Sequence, residues 1–480
     1  MKYIALTIGP IYKTLSNAKK TRELWGGSYL FSYIMKQIIF QFKEREFIVP
    51  YIKDESIFNA GNEVGLFHDR FIFEAKEGDK ETLDKVVNEV LRNLSTDMKI
   101  DYNFLKSYLQ ISVVDKELKE GANPIIELTP YLDTKELFFT TFQYDKHQLE
   151  GFLKNRINSS FLVQDAFDKR KTSFPSLPEI AMHDLKDRFD VKSIVAQDDE
   201  LEIYENKEIK DELKSYHKYI AIVHADGDSM GKVVESLKSQ DDFNNFSKNL
   251  FDYCKESHHL IVEYGGQTIF AGGDDLLFFA PVVSKDKTIF NLCDEISKSF
   301  NSLFEEYDTE PKATLSFGVS ITYYKFPLYE ALESSRGLLF GKAKNKQKNN
   351  IAFKVTKHSG QSFESVIHKG NQEVYEKFIE FISNIKEEDN DMDNFLHSIH
   401  HKIDTYRLVI NEIGSNQDRV QNFFDNYFNE EVHKKYQAFF KSLIGFIVAI
   451  YSDKTIKQED KITLIHSTLR FVKFVKGDKQ

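Results

Sequence analysis

Two short stretches carry the residues best suited to do chemistry. The first is Asp226-Gly227-Asp228-Ser229-Met230-Gly231, at the end of the apolar run Ile220 to Val223. The second is Gly272-Gly273-Asp274-Asp275, flanked by Ile269-Phe270-Ala271 and Leu276-Leu277. The first reads as a buried strand that delivers Asp226 to its end and then starts a helix. The second reads as two strands joined by a tight turn, where glycine supplies the backbone freedom. If the strands are neighbours, Asp226, Asp274 and Asp275 converge at one sheet end. Three carboxylates held together repel, and one takes up a proton unless a cation neutralises them. Hard divalent cations with oxygen ligands fit, and Mg²⁺ or Mn²⁺ with a triphosphate is the usual case. Two such ions about 4 Å apart stabilise the attacking and leaving oxygens of a phosphoryl transfer. Asp226, Asp274 and Asp275 are therefore the candidate catalytic residues and metal ligands. The plainer reading is a pair of solvated turns, because Gly and Asp are ordinary turn residues.

Cationic and backbone groups complete the set. Ser229-Met230-Gly231-Lys232 opens a helix whose free N–H groups suit a triphosphate. Asp228 reads as its N-cap. With Gly227, Gly272 and Gly273, these residues form the expected nucleotide-binding segment. From Arg336 to Lys357 there are seven Lys or Arg residues and no Asp or Glu. A helix C-terminus accounts for one or two of them. The rest point to Lys344 and Lys348 on phosphate oxygens. Residues 1–50 hold eight Lys or Arg against three acidic residues, with Lys19, Lys20 and Arg22 on one helix. That helix is either an RNA-backbone surface or a basic surface helix. His68-Asp69 and His183-Asp184 read as structural, His68-Asp69 because it lies in strand-like context. His258-His259 and His400-His401 have no partner pattern for a ligand set.

The elements that must position these groups follow from periodicity. In the first half the predicted order is a strand at 3–8, a helix at 13–24, and an interruption at Trp25-Gly26-Gly27-Ser28. Ser28 then caps a second helix to Phe42. Strands near 46–52 and 63–74, a helix over 80–95 and a strand near 107–114 complete the unit. The same strand–helix–strand–strand–helix–strand order returns from 216: strand 218–225, helix 229–258, hairpin 261–281, helix 286–307 and strand 313–324. A helix at 328–344 and a strand at 351–356 follow. Both units match a ferredoxin-like pattern. The fold class is α+β. Residues 1–115 are a degenerate palm-like domain, since Thr7-Ile8-Gly9-Pro10 ends its first strand without a metal ligand. Residues 116–215 form a mainly helical connecting domain whose stretch from Asp198 to Glu212 is acidic and exposed. Residues 216–360 are the catalytic palm, and 361–480 a helical bundle, with candidates at 364–385, 391–413, 417–427, 431–452 and 458–475.

At 480 residues the chain has room for several domains. A net charge of −11 argues against a protein that coats nucleic acid over its whole surface. Two cysteines cannot make a four-cysteine zinc site or a disulfide framework, so a reducing, cytoplasmic compartment is expected. The start is not a signal peptide. The run Leu443 to Tyr451 is too short to span a bilayer.

These residues resemble the large, polymerase-like subunit of type III CRISPR effector complexes, in its Cmr-type (III-B) branch. The likeness is carried by Ala5-Leu6-Thr7-Ile8-Gly9-Pro10, by Ala18-Lys19-Lys20-Thr21-Arg22-Glu23-Leu24-Trp25-Gly26-Gly27-Ser28-Tyr29-Leu30, by Ser176-Leu177-Pro178-Glu179-Ile180-Ala181, and by the two palm motifs. Ala343-Lys344-Asn345-Lys346-Gln347-Lys348-Asn349 is similar to a segment of diguanylate cyclases, with Gln347 in place of a glycine. By that likeness Lys344 and Lys348 face the triphosphate.

The resemblance implies nucleotidyl transfer from ATP, with two Mg²⁺ or Mn²⁺ ions, to make an adenylate second messenger on recognition of target RNA. The product is either a cyclic oligoadenylate or AMP joined to S-adenosylmethionine, the latter as co-substrate. Implied partners are the other subunits of the complex, guide RNA and target RNA, with no membrane. The chain starts directly at the first palm-like unit and lacks a four-cysteine element, so DNA cleavage by an N-terminal His-Asp nuclease is not expected. A catalytically silent nucleotide-binding scaffold, or a free-standing nucleotide cyclase of the diguanylate type, are the other readings.

Overall fold

The computed structural model describes residues 1–16, 18, 20–137, 152, 165–166, 174–191, 212–345, 347–383, 392–428 and 434–476. Its first unit runs β1 (Lys2–Gly9), α1 (Ile11–Ser16), α2 (Thr21–Phe40), β2 (Phe47–Val49), β3 (Arg70–Glu74), α3 (Asp79–Met98), α4 (Tyr102–Tyr108) and β4 (Gln110–Glu117). The sheet order is β2-β3-β1-β4, with β1 antiparallel to both neighbours. That is the ferredoxin-like order expected from the sequence. β1 is central and buried on both faces, which is why it reads as an unbroken apolar run.

The expected interruption at Trp25-Gly26-Gly27-Ser28 is absent. α2 runs straight through it, and Ser28 is buried in mid-helix with its hydroxyl unpartnered instead of capping anything. Packing overrides the low helix propensity of glycine. Fifteen of the twenty residues of α2 are buried, and Trp25 donates through Nε1 to the Glu63 carbonyl at 2.9 Å while its ring stacks on Tyr29. A helix apolar on nearly every side belongs inside a core. The predicted strand at 107–114 begins later, because α4 takes the residues up to Tyr108.

The connecting segment is described in two pieces, α5 (Pro124–Leu137) and α6 (Leu177–Ala181), the latter opened by a Ser176–Glu179 capping box. Most of the expected connecting domain, including nearly all of the acidic stretch Asp198 to Glu212, lies outside the described residues.

The second unit contains β5 (Tyr219–Asp228), α7 (Met230–Ser236), α8 (Gln240–Tyr264), β6 (Gln267–Gly272), β7 (Asp275–Pro281), the small hairpin β8 (Val283–Ser284) and β9 (Lys287–Thr288), α9 (Ile289–Phe304), β10 (Thr314–Tyr323) and α10 (Leu328–Leu338). One π-helical turn, Leu339–Ala343, extends α10. β11 (Asn350–Thr356) and β12 (Ser362–His368) finish the sheet, in the order β12-β11-β10-β5-β7-β6. Its last four strands repeat the first unit's order. The single predicted helix over 229–258 is two helices, since Ser239 caps a new one through the Asp242 N–H.

The stretch after Gly360 was expected to be helical throughout. Instead β12 pairs antiparallel with β11, from Thr356↔Ser362 to Asn350↔His368. Gly360, at φ +83°, makes the tight turn between them, and Phe363 and Ile367 bury the inner face. Helices follow: α11 (Gln372–Ser383), α12 (Met392–Thr405), α13 (Arg407–Ile413), α14 (Gln417–Tyr427), α15 (Gln437–Ser452) and α16 (Gln458–Lys476). No described helix is long and apolar enough to cross a membrane. Both sheets and the C-terminal helices share one continuous hydrophobic core.

Candidate active site between the two sheets

β5 carries the first candidates. Its side chains alternate, so His224, Asp226 and Asp228 leave the strand on one face. Antiparallel pairing with β10 sets Ser316 opposite Asp226 and Thr314 opposite Asp228. Asp228 does not cap the following helix, contrary to the sequence reading. It stays in the strand, fully buried, and accepts from Thr314 Oγ1 at 3.0 Å, Ser316 Oγ at 2.7 Å and the Asn349 N–H at 2.9 Å. All of these bonds go to Oδ2, and Oδ1 accepts none. A buried carboxylate oxygen left without a donor is costly, and a nearby cation relieves it.

That cation is Lys344. The π-helical turn after α10 brings its side chain across the strand end. Its ammonium donates to Asp226 Oδ2 and, at 2.7 Å, to the Gly227 carbonyl, and lies 3.7 Å from Asp228 Oδ1. Burial, and then the charge of Lys348, lower the Lys344 pKa to about 7. The adjacent Asp226 carboxylate pulls the other way. Lys348 is exposed and meets none of the carboxylates, so its link to the site is electrostatic.

The Gly-Gly-Asp-Asp segment forms a two-residue turn between β6 and β7. Gly272 pairs with Asp275, and Gly273 takes φ +69°, as such turns demand at their first position. β7 pairs with β5 as far as Ala225↔Leu276, which brings Asp275 to the end of β5. Asp274 reaches back over Gly227, where an added Cβ would come within 2.7 Å of Asp274 Oδ2. Glycine is therefore required there. Burial raises the Asp274 pKa, with a further push from Asp228. Burial and then Asp274 and Asp69 raise that of Asp275, although this residue keeps one side open to solvent.

The expected cluster of Asp226, Asp274 and Asp275 is thus gathered only in part. Among the described residues no group of three His, Cys, Asp or Glu is ready to hold a metal ion. Asp226 turns onto Lys344, while Asp274 turns onto Gly227. The oxygen set around the lysine ammonium still has the right chemistry for a hard cation: two carboxylates and one backbone carbonyl. Ser229, at φ 63°, starts α7 without a side-chain cap, Met230 packs beside Gly227, and Gly231 faces open space. As α7 has only seven residues, it brings less dipole to the strand end than the long helix predicted.

The first unit contributes what the sequence reading set aside. The His68 ring packs on Gly273, where a Cβ would come within 2.9 Å of it. Burial lowers the His68 pKa to about 4, so the ring is neutral. Asp69 is raised to about 6, mainly by burial, with Arg70 opposing and Glu136 adding to the shift. A cavity of ≈ 530 Å³ lies between the sheets and is lined by Gly9, Pro10 and Asp69 on one side and by His224, Asp275 and Arg336 on the other. Arg336 also lies 4.3 Å over the Tyr12 ring, and the Tyr12 hydroxyl donates to Glu333, so α1 and α10 are joined across the cavity. The missed signal was positional. Asp69 precedes the third strand of the first unit as Asp274 and Asp275 precede or open the third strand of the second. His183-Asp184 remains structural: Asp184 accepts from buried His217 at 3.0 Å.

Comparisons with known proteins agree with this layout. A model described as "Cas10/Cmr2, second palm domain" matches residues 219–352, and one described as "CRISPR-associated protein Cmr2, N-terminal" matches residues 3–100. The "CRISPR system Cmr subunit Cmr2" of Pyrococcus furiosus is 34% identical over 176 residues, covering 31% of this chain and 20% of that protein. The match thus spans about a fifth of that curated relative. Among solved structures, the apo type III-B Cmr-beta assembly contains a chain similar over 88% of this one and 77% of its own length, at TM-score 0.58 and 13% identity. The same type of assembly bound to cognate target RNA gives 99% and 83%, at TM-score 0.60 and 12% identity. A Csm1–Csm4 cassette in complex with AMPPNP gives 93% and 69%, at TM-score 0.51 and 12% identity. At these identities the structural likeness shows a shared fold.

Proposed function

Because the chain belongs to the Cmr-type branch of the Cas10 family, we propose that it is the nucleotidyltransferase subunit of a type III-B CRISPR complex and makes an adenylate messenger from ATP. The observation that carries this reading is the cage of Asp226, the Gly227 carbonyl and Asp228 around a single ammonium, facing the Gly-Gly-Asp-Asp turn. In the working site Asp226, with Asp228 and the turn carboxylates Asp274 and Asp275, would hold Mg²⁺ or Mn²⁺. The ions would supply Lewis-acid stabilisation of attacking and leaving oxygens.

The residues around them have separable tasks. Lys344, released from Asp226, moves its charge to the triphosphate, and Lys348 adds to the field at the cavity mouth. Ser229, Met230 and Gly231 offer N–H groups that α7 leaves unpaired at its first turn. Gly227, Gly272 and Gly273 keep the strand ends bare so that a nucleotide can approach. Two nucleotides face each other across the cavity, one on each sheet, so that a 3′-hydroxyl meets an α-phosphorus. No covalent protein intermediate is needed.

The relatives' assemblies with target RNA and AMPPNP support the same partners and nucleotide here. The decisive experiment reconstitutes the chain with its complex, guide RNA and target RNA, and supplies ATP with Mg²⁺. Mass spectrometry with and without S-adenosylmethionine distinguishes a cyclic oligoadenylate from AMP joined to that co-substrate. No product under any of these conditions, with ATP still bound, would leave the chain a nucleotide-binding scaffold.

A further inference from the structure

A second concave site lies away from the palm carboxylates. A cavity of ≈ 580 Å³ opens between the turn end of the β11–β12 hairpin, α12 and α16. Lys357, His397, His400, Arg470 and Lys473 line it, and among the described residues no carboxylate does. The chain as a whole carries −11, so a pocket whose titratable lining is wholly cationic or imidazole, beside the neutral Gln361 and Ser362 and the apolar Phe363, Leu396 and Leu469, departs from its surroundings. Neither Lys357 nor Arg470 has an ion-pair partner among the described residues. His400 Nε2 and both ring nitrogens of the adjacent His466 are buried without a hydrogen-bond partner. The two imidazoles lie 4.4 Å apart. Burial, with His466 and Arg470 adding to it, holds His400 down at about 4, so its ring is neutral and keeps one N–H to donate. Asp404 is the acid that acts on both imidazoles among the described residues. It is largely exposed, 3.9 Å from His466, and does not reach the cavity wall.

Lys357 and Arg470 at a concavity, with a buried imidazole donor and no carboxylate among the described lining residues, lack an anion. A ligand bearing several acceptor oxygens satisfies both deficits at once. We propose that this cavity binds a phosphate group, carried by a free nucleotide or by a single-stranded RNA. The site is independent of the palm reading, because none of its residues touches the Asp226 cage or the Gly-Gly-Asp-Asp turn.

The test uses the full chain in chelator, which removes metal-dependent nucleotide binding at the palm. Two probes are titrated: a 5′-fluorescein-labelled single-stranded RNA dodecamer, followed by anisotropy, and inorganic pyrophosphate, followed by calorimetry. The double variant Lys357→Glu with Arg470→Glu is compared with Lys85→Glu with Lys119→Glu, which makes the same change of net charge on exposed positions elsewhere. The cavity variant should bind the RNA about tenfold more weakly than the control pair, with the log K against log salt slope reduced by about 0.7 for each cation lost. Competition by pyrophosphate with equal sensitivity to the cavity variant assigns the site to free nucleotide. RNA binding that pyrophosphate does not displace assigns it to RNA. Equal binding by the two double variants, or no binding of either probe to wild type, overturns the proposal. Melting curves of both variants confirm that folding is intact.

Discussion

The two palm units share a strand order and differ at one end. β5 ends in Asp226-Gly227-Asp228, while β1 ends in Ile8-Gly9, followed by Pro10. The hairpin between the second and third strands is a two-residue turn in one unit and a segment of some twenty residues, 50–69, in the other. The sheets supply equivalent frames, and the chemistry resides in what is mounted at the strand ends. Yet the first unit is not inert. His68 buttresses Gly273, and Asp69 lies in the field of Asp275. On the proposed function, one unit holds the reacting groups and the other supplies the facing wall.

The strongest way to break that contrast is to remove the turn carboxylates. Asp274→Asn with Asp275→Asn should lower messenger synthesis by the assembled complex about 10³-fold or more, while Asp69→Asn should cost far less. Equal losses would mean that both units carry chemistry. Synthesis is read by mass spectrometry and assembly by size-exclusion chromatography.

A steric version of the comparison comes next. Gly227→Ala forces a methyl against Asp274, whereas Gly9→Ala meets nothing within 4 Å. The first should destabilise by about 1–3 kcal/mol and the second should fall within about 0.5 kcal/mol of wild type, as measured by denaturant titration.

Asp79 in the first unit and the turn acids of the second should titrate with opposite sign, while Asp69, raised like the turn acids, groups with the site. In the first unit Asp79 is depressed, chiefly by its two bonds from Arg45 at 2.8 Å, with burial opposing. Its stabilisation is present above the unfolded carboxylate pKa of about 3.9 and is lost as pH falls through the lower folded value. Asp274 and Asp275 are raised, so their folded forms hold protons that the unfolded chain has released. Stability should therefore fall as pH rises from about 4 towards their elevated folded values. In chelator, the double Asn variant should be more thermostable than wild type at pH 8 and show little difference at pH 4. Mg²⁺ should stabilise the wild type alone. A variant less stable at pH 8 would remove the argument from charge repulsion.

The smallest effect concerns the contact between units. Tyr12→Phe removes the hydroxyl bond to Glu333 and keeps the ring beneath Arg336; Arg336→Gln removes the cation. Each should weaken the link by about 0.5–1 kcal/mol, seen as faster hydrogen exchange in α1 and α10. Unchanged exchange would mean that the rings meet without holding the units together.

Much of this was legible in the sequence because strand order and turn chemistry are local. The Gly-Gly-Asp-Asp turn and the repeated order of elements follow from spacing; the basic run singled out Lys344, which the reading set against a triphosphate and the structure sets against Asp226 and Asp228. What escaped depends on distant packing. Gly26 and Gly27 look like a break, and only the burial of α2 on most of its surface shows why they are not. Asp228 looks like a cap until β10 supplies Thr314 and Ser316 to bind it. Asp69 reads as part of a strand, and only the facing of the two sheets shows that it lines the cavity between them. β12 looks helical because its apolar positions are too few to reveal a period of two.

The unbroken core has a consequence for how this molecule can be handled and how it can change. Because apolar side chains run without interruption from the first sheet to the last helix, the regions named along the chain are not interchangeable cassettes. Heat should melt them in a single cooperative transition. Excising the second palm as a stand-alone unit would open a greasy wound, and replacing the first half with a homologous one would succeed only where the new partner reproduces that buried seam.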